Sequence, residues 1–528
     1  MTRYDCDILI VGAGPVGQIT ALLLAQRGVS VIILERWEKP YPLPRAVALA
    51  HDVVRALHTL GLGSRLSDLL DPWGRDGQQC VLESADGRRL TEAGSPLDSV
   101  SGHPEMSGFS QPDLELVLED RVAGVADIDQ QRAVTVRSLH ADGDAVHVVA
   151  TGRNGAEKTV TARYVVGCDG ANSVVREHID APIADMKFDR DWLVVDVVPR
   201  GPLPDMMRDM GQRLDPARPT TFVPAGPNRR RFEFMIQPDD DAALLDTDGG
   251  TWELLRPWGF DPSNSDLTRH ARYTFRGRWA TQWRAGRILL AGDAAHQMPP
   301  FLGQGLNSGI RDATNLAWRL ALVAKGSAPA DLLDDYVVER RDQAETIVRE
   351  SVRMGGIICT TDPEEAARRD ELLKINGHRM GVLRTSWPLD TGTMRDDSAA
   401  GTLALQARVG VGGVVAMLDD VSEPGRFMLI GADGDPLDGL DPVLGGAWRS
   451  LGGVGVHFGT NGWIDVDGKY SRWFDTLGAR VVLIRPDFHV FGTSSGDTGS
   501  ANLLVADLLR SVTRTKQRLP SAGLGWSR

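Results

Sequence analysis

The sequence is poor in cysteine, which excludes several classes of protein. Its four cysteines, Cys6, Cys80, Cys168 and Cys359, are scattered over 528 residues, and no two are spaced as CxxC. This scatter excludes a disulfide framework, a cysteine-based zinc module and a dithiol redox centre. It is typical of a reducing compartment, so we predict a cytoplasmic protein.

Long hydrophobic runs and an excess of positive charge are also missing. The most apolar stretches, Ile8–Gly14 and Ile288–Ala295, are too short to span a bilayer and contain glycine or charge. The N-terminus lacks a basic region, so no signal peptide is predicted. With 71 acidic and 58 basic residues the net charge is −13, which predicts binding neither to nucleic acid nor to an anionic membrane.

What remains is an ordinary globular composition, 42% hydrophobic and 24% charged, on a chain long enough for about three domains. Four short apolar runs predict buried parallel strands. They are Asp7–Val11, Val31–Leu34, Tyr164–Cys168 and Ile288–Ala291. Between the last two, alternating and β-branched segments with Pro/Gly-rich connections predict an inserted, mostly antiparallel sheet. The sequence therefore predicts an α/β protein.

The sequence pattern changes after Pro299-Pro300. Apolar spacing predicts helices over residues 306–324 and 332–354. Proline, glycine and short polar residues predict a linker over 386–402, followed by a small α/β domain. Residues 513–528 are predicted to be a loose tail.

A GxGxxG motif, Gly12-Ala13-Gly14-Pro15-Val16-Gly17, lies between the first strand and a predicted helix. In such a βαβ unit the glycines permit a tight turn, approach of a pyrophosphate and close packing of helix on strand. The helix N-terminus favours phosphate, and Glu35, at the end of the second strand, can accept hydrogen bonds from ribose hydroxyls. The motif predicts a site for an adenine dinucleotide. No second such motif follows a strand, so the cofactor is either a nicotinamide or a flavin.

Two later motifs decide between these cofactors. They are Cys168-Asp169-Gly170-Ala171-Asn172-Ser173-Val174-Val175-Arg176 and Gly292-Asp293-Ala294-Ala295-His296-Gln297-Met298-Pro299-Pro300, and both follow predicted strands. With the GxGxxG motif, they make the sequence resemble the class A single-component flavoprotein aromatic hydroxylases, in which the three motifs together bind FAD. It is most similar to the 3-(3-hydroxyphenyl)propionate hydroxylase and phenol hydroxylase branch. The segments Arg230–Met235, Asn315–Trp318 and Glu339–Asp342 carry that closer similarity.

The resemblance implies a three-part fold. A Rossmann-like FAD-binding domain is expected over residues 1–75, 102–178 and 270–385. The inserted antiparallel sheet, over 76–101 and 179–269, is expected to bind substrate. The family's C-terminal domain is thioredoxin-like and is expected over 400–515. Because this segment contains no cysteine, we expect it to serve packing or dimerisation, with a homodimer as the predicted assembly.

The resemblance also assigns FAD contacts residue by residue. Asp293 is expected to bond the ribitol chain, and Arg45 and Gln111 to lie beside the phosphates and the ribityl. Asp169 is expected to link FAD binding to the use of NAD(P)H, and the segment 303–307 to lie at the pyrimidine edge of the flavin. The predicted FAD-binding residues are Gly12, Gly14, Pro15, Val16, Gly17, Glu35, Arg36, Arg45, Gln111, Asp169, Gly292, Asp293, Pro300, Gly303, Gly305, Leu306 and Asn307. Two alternatives stay open: Asp293 as a helix cap and Asp169 as a turn residue.

Candidates for catalysis and substrate binding are fewer. Pro299 and His51 are the catalytic candidates, with a surface position for His51 as an equal alternative. His296 is interpreted as a structural hydrogen-bond partner, because the chemistry belongs to the flavin. The predicted substrate contacts are Trp192, Phe232, Phe234 and Met298, although Phe232 and Phe234 either line a ring pocket or fill core. The basic run 229–231 is either a charged strand end or a contact for NAD(P)H phosphate or a substrate carboxylate.

The function implied by the resemblance is aromatic hydroxylation in aromatic catabolism. NADH or NADPH is expected to reduce FAD, which reacts with O2 to a flavin C4a-hydroperoxide that hydroxylates a phenolic or related ring. No metal-ligand motif is visible, so the flavin is the only oxygen-activating group predicted. Three alternatives remain. The same scaffold could carry out Baeyer–Villiger or epoxidation chemistry on a polyketide-like substrate. It could instead be an FAD-dependent dehydrogenase or oxidase, or a flavoprotein without catalytic activity.

Overall fold

The structure, a computed structural model, describes residues 3–42, 45–203, 207–380, 386–459, 461–496 and 500–514. Pro44 and residues 515–528 of the predicted tail lie outside the described residues. The chain forms two compact units. The first reaches to Ser99 and includes His103–Ala313 and Arg341–Ser386; the second contains Val100–Gly102, Thr314–Arg340 and the chain from Trp387.

The strands of the first unit are β1 (Cys6–Val11), β2 (Val31–Glu35), β3 (Ala48–Ala50), β4 (Leu70–Pro72), β5 (Gln79–Glu83), β6 (Arg89–Gly94), β7 (Met106–Phe109), β8 (Ile128–Arg132), β9 (Thr135–Asp142), β10 (Ala145–Thr151), β11 (Glu157–Gly167), β12 (Ile183–Pro199), β13 (Met210–Arg213), β14 (Thr220–Pro224), β15 (Arg230–Met235), β16 (Ser265–Ala280), β17 (Arg284–Ala285), β18 (Ile288–Leu290) and β19 (His296–Gln297). Those of the second unit are β20 (Arg408–Val411), β21 (Val414–Met417), β22 (Met428–Gly431), β23 (Val454–His457), β24 (Ile464–Asp465), β25 (Val481–Ile484) and β26 (Val490–Ser494). The α-helices are α1 (Pro15–Ala25), α2 (His51–Leu57), α3 (Gly63–Leu69), α4 (Gln111–Ala123), α5 (Val174–His178), α6 (Ala242–Leu245), α7 (Asp248–Leu255), α8 (Gly305–Ala324), α9 (Leu332–Ile358), α10 (Pro363–Met380), α11 (Leu418–Val421), α12 (Pro442–Ser450), α13 (Lys469–Leu477) and α14 (Ala501–Thr513).

The first sheet is built on strands that are apolar on both faces. In β1 the side chains of Ile8, Leu9 and Ile10 are fully buried, as expected of a parallel strand covered on both sides. The strand order is β17-β18-β11-β1-β2-β8, and off this path β10 pairs with β11 and β9 pairs with β10. β1 pairs in parallel with β2 and β11, and β11 pairs in parallel with β18. The predicted βαβ unit and the four predicted buried strands are confirmed.

The second sheet is the predicted insertion, and it is mostly antiparallel. Its order is β19-β16-β12-β15-β14-β13-β5-β6, and only the β13–β5 pair is parallel. Alternate residues of β15 face one apolar core, which contains Phe222, Trp258 and Phe260. A third, short sheet has the order β3-β7-β4. All three sheets belong to the first unit, and the predicted boundaries between FAD-binding and substrate domains stay a prediction.

The second unit contains the predicted C-terminal α/β domain. Its four-stranded mixed sheet has the order β23-β22-β25-β26, and a three-stranded sheet has the order β21-β20-β24. The predicted linker is irregular but packs into this unit: the Leu389 N–H donates to the Gly401 carbonyl at 3.0 Å, and the Arg395 N–H donates to the Phe491 carbonyl at 2.8 Å. Among the described residues, no helix combines the length and the apolar character needed to cross a membrane.

A cluster of buried charges joins the helical and C-terminal parts of the second unit. Arg319 Nη2 lies 2.6 Å from Glu339 Oε1, and Arg485 Nη2 lies 2.7 Å from Glu339 Oε2. The Arg485 Nε–H also donates to Asp487 Oδ1 at 2.9 Å. Burial raises the pKa of Glu339, but the two guanidiniums outweigh it and lower that pKa to about 2. Two of the segments that carry the resemblance thus supply a charged core for this unit, since Asn315 also donates to Glu339.

Candidate functional site

The three glycines of the GxGxxG turn meet different surroundings. Gly12 has a φ of +103°, and a Cβ built there would lie 2.5 Å from the Cys168 carbonyl oxygen. A Cβ on Gly17 would lie 2.1 Å from the Gly12 carbonyl oxygen, whereas one on Gly14 would meet nothing within 4 Å. Gly12 and Gly17 are therefore required by the fold, and Gly14 leaves backbone open to a ligand. Pro15 starts α1 directly after it.

An open cleft of about 260 Å³ lies over this turn at the carboxyl ends of the parallel strands. This is where α/β sheets bind ligands. The predicted FAD-binding residues that line it are Gly12, Gly14, Pro15, Glu35, Arg36, Arg45, Gln111 and Asp169. The rest of that set is not part of its lining: Val16, Gly17, Gly292, Asp293, Pro300, Gly303, Gly305, Leu306 and Asn307.

Glu35 closes one side of the cleft. Its carboxylate accepts hydrogen bonds from the N–H groups of Ala13 and Trp37, both at 2.8 Å. These bonds hold an acidic group at the strand end. Its remaining lone pairs can accept hydrogen bonds from ribose hydroxyls. The guanidinium of Arg36 lies over the Trp37 ring at 5.4 Å. The open face at Gly14 and the acid at Glu35 fit the pyrophosphate and adenosine parts of FAD.

Arg45 and Gln111 also line the cleft, and Gln111 binds the backbone next to Arg45. Gln111 Oε1 accepts from the Ala46 N–H at 2.8 Å, and the Arg45 guanidinium lies 4.6 Å from the centre of the Tyr41 ring. The backbone carbonyl of Arg45 accepts from Arg231 Nη1 at 2.5 Å. Arg231 is itself buried and paired in bidentate fashion with Asp196, at 2.8 Å for both bonds. Arg231 lies at the start of β15, as the interpretation of this run as a charged strand end expects, and Asp196 neutralises its charge inside the sheet.

Asp169 lines the cleft and also shapes the turn after β11. Its carboxylate accepts from Ser173 Oγ at 2.5 Å and from the Val175 N–H at 3.2 Å. Ser173 in turn caps α5 by accepting from the Arg176 N–H at 2.9 Å. Burial raises the pKa of Asp169, against these hydrogen bonds. The geometry thus favours the turn alternative, and the proposed link to NAD(P)H use stays a prediction.

The Gly292-Asp293 motif packs against the first motif. A Cβ on Gly292 would lie 3.2 Å from a methyl carbon of Val16. The buried carboxylate of Asp312 accepts from the Gly292 N–H at 2.9 Å and lies 2.7 Å from His296 Nε2, which supports the structural interpretation of His296. Asp293 is exposed, and within the described chain its side chain accepts no hydrogen bond. No capping bond is formed, so the side chain stands open to a ligand.

The turn before α8 is tied to β3. Gly303 has a φ of +63°, and a Cβ there would lie 3.4 Å from both Ala48 Cβ and Met106 Cε. The Asn307 amide donates to the carbonyls of Ala48 and Gly303, at 3.1 and 2.6 Å. Its oxygen accepts from the Ala50 N–H at 2.9 Å. Asn307 is therefore a positioning residue for this turn, and its predicted contact with FAD stays a prediction.

The residues on either side of this turn lead into the N-terminus of α8. Pro299 is buried, whereas Met298, Pro300 and Leu306 are half-buried. Gly305 begins α8, and a Cβ there would lie 3.9 Å from Met298 Cγ. The 20-residue helix directs its positive dipole end at this turn. Such an end stabilises negative charge, as the predicted pyrimidine edge of a reduced flavin requires.

His51 is not a surface residue. Only 1% of its side chain is exposed, and its Nε2 lies 3.2 Å from Glu105 Oε2. Its backbone N–H donates to the Glu105 carbonyl at 3.2 Å. The surface alternative is therefore wrong, while the catalytic role of His51 stays a prediction.

The four predicted substrate residues do not lie in one place. Phe232 and Phe234 stack at 5.9 Å between ring centres and belong to the core of the second sheet, which favours the core alternative. Trp192 belongs to another cluster, where its ring lies 5.5 Å from that of Phe275 and 5.6 Å from that of Phe301. Met298 is at the turn before α8. Their contacts with substrate stay predictions.

Sequence reasoning missed two kinds of residue at this site. Tyr41 and Lys39 line the cleft, but they follow β2 in a segment without a motif. Arg311 and Asp312 are buried charges on α8: Arg311 Nε donates to Asp52 Oδ2 at 2.6 Å. Adjacent charges in the middle of a predicted buried helix are unusual, and that pattern could have marked Asp312 as a structural centre.

Comparison with known proteins gives two family matches that cover most of the chain. Residues 5–351 match the FAD binding domain family, and residues 401–510 match the HcaD C-terminal domain family. A probable NADH-specific resorcinol 4-hydroxylase of Rhodococcus jostii is 34% identical, over 98% of this chain and 97% of that protein. A 3-(3-hydroxy-phenyl)propionate/3-hydroxycinnamic acid hydroxylase of Mycolicibacterium gilvum is 32% identical, over 92% of this chain and 88% of that protein.

Solved structures share the fold over nearly the whole chain. The flavin-dependent monooxygenase PieE, solved with FAD and substrate, is 23% identical with a TM-score of 0.82, over 96% of this chain and 99% of that one. Aklavinone-11 hydroxylase, solved with FAD and aklavinone, is 24% identical with a TM-score of 0.77, over 98% of this chain and all of that one. At these identities the likeness establishes the fold, and it confirms the predicted fold class.

Proposed function

This chain belongs to the FAD-binding family of aromatic hydroxylases, and from that premise we propose that it hydroxylates a phenol with a second substituent meta to the hydroxyl group, using NADH. The whole-length similarity to the relative named as a resorcinol 4-hydroxylase carries the proposal. Resorcinol and 3-(3-hydroxyphenyl)propionate, the substrates in the two relatives' names, are both meta-substituted phenols. The name NADH-specific, carried by the first relative, is the reason for choosing NADH.

The protein's own contribution is binding and orientation. The turn at Gly14 and the N-terminus of α1 bind the pyrophosphate, and Glu35 accepts hydrogen bonds from the ribose. Asp293 and the Gly303 turn are assigned to the ribityl chain and the flavin ring. When bound, FAD accepts hydride from NADH and activates O2 for transfer of one oxygen atom to the ring. The residues around the ring keep water away from that reaction.

A second candidate substrate is a phenol that carries a carboxylate side chain. Arg230 is half-buried, and its Nε atom is buried and has no hydrogen-bond partner among the described residues. Burial lowers the pKa of this guanidinium, and the nearby Asp71 raises it. A guanidinium in this state can take a substrate carboxylate in bidentate fashion. This supports a 3-(3-hydroxyphenyl)propionate-like substrate as the alternative to resorcinol.

The chemistry proposed is ring hydroxylation. The two whole-length relatives carry the word hydroxylase in their names, which supports it over Baeyer–Villiger, epoxidation, dehydrogenase and oxidase chemistry. O2 is the proposed second co-substrate, and a homodimer is the proposed assembly, to be tested by light scattering of the purified protein.

The substrate is tested by measuring oxidation of NADH and NADPH with a panel of phenols. Resorcinol and 3-(3-hydroxyphenyl)propionate are the main members, and product formation is followed by mass spectrometry. We expect NADH to be preferred and one of the two phenols to give a hydroxylated product. An Arg230→Met variant separates them, since it should weaken the carboxylate substrate about tenfold and leave resorcinol unchanged. Absence of product from every meta-substituted phenol contradicts the proposal.

A further inference from the structure

We propose that the indole N–H of Trp73 binds the phenolic oxygen of the substrate, beside the turn that carries Gly303. Trp73 lies in a buried cluster with Ala48, Ala50, Met106 and Met210, which we call the Trp73 cluster. The inference rests on the proposed function, because it assigns a residue to the substrate of that reaction. No motif in the sequence points to this tryptophan.

The first observation is a buried donor without an acceptor. Only 6% of Trp73 is exposed, and its Nε1 atom is buried without a hydrogen-bond partner in the part of the chain that the structure describes. An indole N–H can only donate. Buried polar groups are nearly always paired, so this donor calls for an acceptor that the described residues do not provide. A phenolic oxygen is such an acceptor.

The second observation is the small size of the residues around that N–H. In the β3–β7 pairing, Ala48 lies opposite Gly108 and Ala50 lies opposite Met106. These four residues therefore share one face of the short sheet. A Cβ on Gly108 would lie 3.0 Å from both Trp73 Nε1 and the Pro224 carbonyl oxygen, so glycine is the residue that fits beside this donor. Alanine, glycine and flexible methionine form an apolar wall beside the donor.

The third observation is the position of this wall. The α-carbon of Gly303 faces it, since a Cβ there would lie 3.4 Å from Ala48 Cβ and from Met106 Cε. Asn307 binds the Gly303 turn to the β3 backbone at Ala48 and Ala50. The turn assigned to the flavin ring and the wall beside Trp73 are thus held as one piece. Because oxygen transfer requires substrate and flavin to be in contact, a donor at this wall is well placed to orient the substrate ring.

The main competitor is Trp192, the tryptophan predicted from the sequence. Its Nε1 atom also lacks a partner among the described residues. However, its ring is stacked against Phe275 and meets Phe301 edge-on, so its surroundings are filled by large rings instead of by small side chains. Phe301, two residues before Gly303, also brings this cluster to the segment of that turn. The geometry favours Trp73, and the experiment includes both.

The experiment compares Trp73→Phe and Trp192→Phe with wild type. A Trp448→Phe variant is the matched control, because Trp448 in the second unit is 1% exposed and its Nε1 is likewise unpartnered among the described residues. Substrate Kd is measured from the change in flavin absorbance on titration with resorcinol and with phenol. FAD content and the fraction of NADH converted to hydroxylated product are recorded for every variant.

We expect Trp73→Phe to raise the Kd of the preferred phenol about tenfold and to lower product yield per NADH, with FAD content unchanged. Trp448→Phe should match wild type. If Trp73→Phe does not fold, benzothienylalanine at position 73 keeps the shape of the indole and lacks its N–H, and the same rise in Kd is expected. Unchanged Kd in the folded variant, or an effect confined to Trp192→Phe, overturns the inference alone. Wild-type protein that hydroxylates no phenol overturns the proposed function, and the inference with it.

Discussion

Substitutions at two glycines of the GxGxxG turn should affect cofactor binding and folding separately. Alanine at Gly14 should weaken FAD binding strongly and leave the fold intact, whereas alanine at Gly17 should damage the fold itself. Gly14 has a φ of −73° and a ψ of 177°, a conformation that alanine adopts freely. A Cβ there meets no protein atom within 4 Å, but a Cβ on Gly17 would lie 2.1 Å from a backbone oxygen.

The magnitudes follow from these surroundings. For Gly14→Ala, the loss of a glycine at the start of a helix and the gain from a less flexible unfolded chain offset each other to within about 0.5 kcal/mol. The new methyl group displaces the phosphate from the N–H groups of the turn. Two lost charge-assisted hydrogen bonds weaken FAD binding by about 100-fold or more. For Gly17→Ala, helix α1 must move off β1, at a cost of about 3 kcal/mol in the free energy of unfolding.

Both quantities can be measured on the same preparations. Urea unfolding of FAD-free protein gives the free energy, and quenching of FAD fluorescence on titration gives the Kd. Wild type and Gly14→Ala should unfold at the same urea concentration, and only wild type should bind FAD tightly. A Gly14→Ala variant with wild-type FAD affinity refutes the assignment of this turn to the pyrophosphate. Equal stability of all three proteins refutes the packing argument for Gly17.

Three further predictions concern other parts of the molecule. Asp293→Ala should lower FAD occupancy after gel filtration, because the exposed carboxylate accepts no hydrogen bond from the described residues and is open to FAD. Full occupancy in this variant removes its role. The pKa of Glu339 is lowered to about 2 from 4.5, so its stabilisation is present above about pH 4.5 and is lost as the pH falls towards 2. Glu339→Gln should cost about 3 kcal/mol in urea unfolding at neutral pH and remove this acid sensitivity. Arg408→Met, which breaks an exposed pair with Asp467, is the control and should leave the urea midpoint nearly unchanged. Anaerobic reduction of the flavin by NADH should be slow until a phenol binds. The reason is that the chain has one dinucleotide motif, so the nicotinamide must bind near the flavin transiently. Equal stopped-flow rates of flavin reduction with and without phenol refute this gating.

The sequence predicted the parts of the fold that depend on local pattern. The run from Ile8 to Ile10 is buried on both faces, which a continuous apolar segment before a glycine turn indicates directly. The same holds for α8, whose apolar stripe runs along the whole helix. Pairing between distant segments could not be read in this way. The contact of Arg231 with Asp196 joins two strands 35 residues apart, and a basic run in the sequence looks the same whether its charges are solvated or paired.

At the functional site, too, the residues with a local sequence signature were predicted and those placed by long-range contacts were not. Motif glycines and strand-end acids were found because each has a local signature, and Glu35 and Gln111 do line one cleft. The substrate side has no such signature. Trp73 is separated from the motifs in sequence and comes near the Gly303 turn through Met106, whose carbonyl accepts from the Trp73 backbone N–H at 3.0 Å. Aromatic residues spaced along a strand, such as Phe232 and Phe234, serve a core as readily as a pocket, and here they pack in the core.

The central claim is that this chain transfers one atom of O2 to an aromatic ring. Turnover of the preferred phenol under ¹⁸O2, with NADH and the FAD-loaded protein, tests it directly. We predict a product with one added hydroxyl group that carries the label, in a ratio approaching one per NADH oxidised, and no label when ¹⁸O is supplied as water. A product labelled from water, a ring-expanded product, or hydrogen peroxide without any hydroxylated ring would contradict the account.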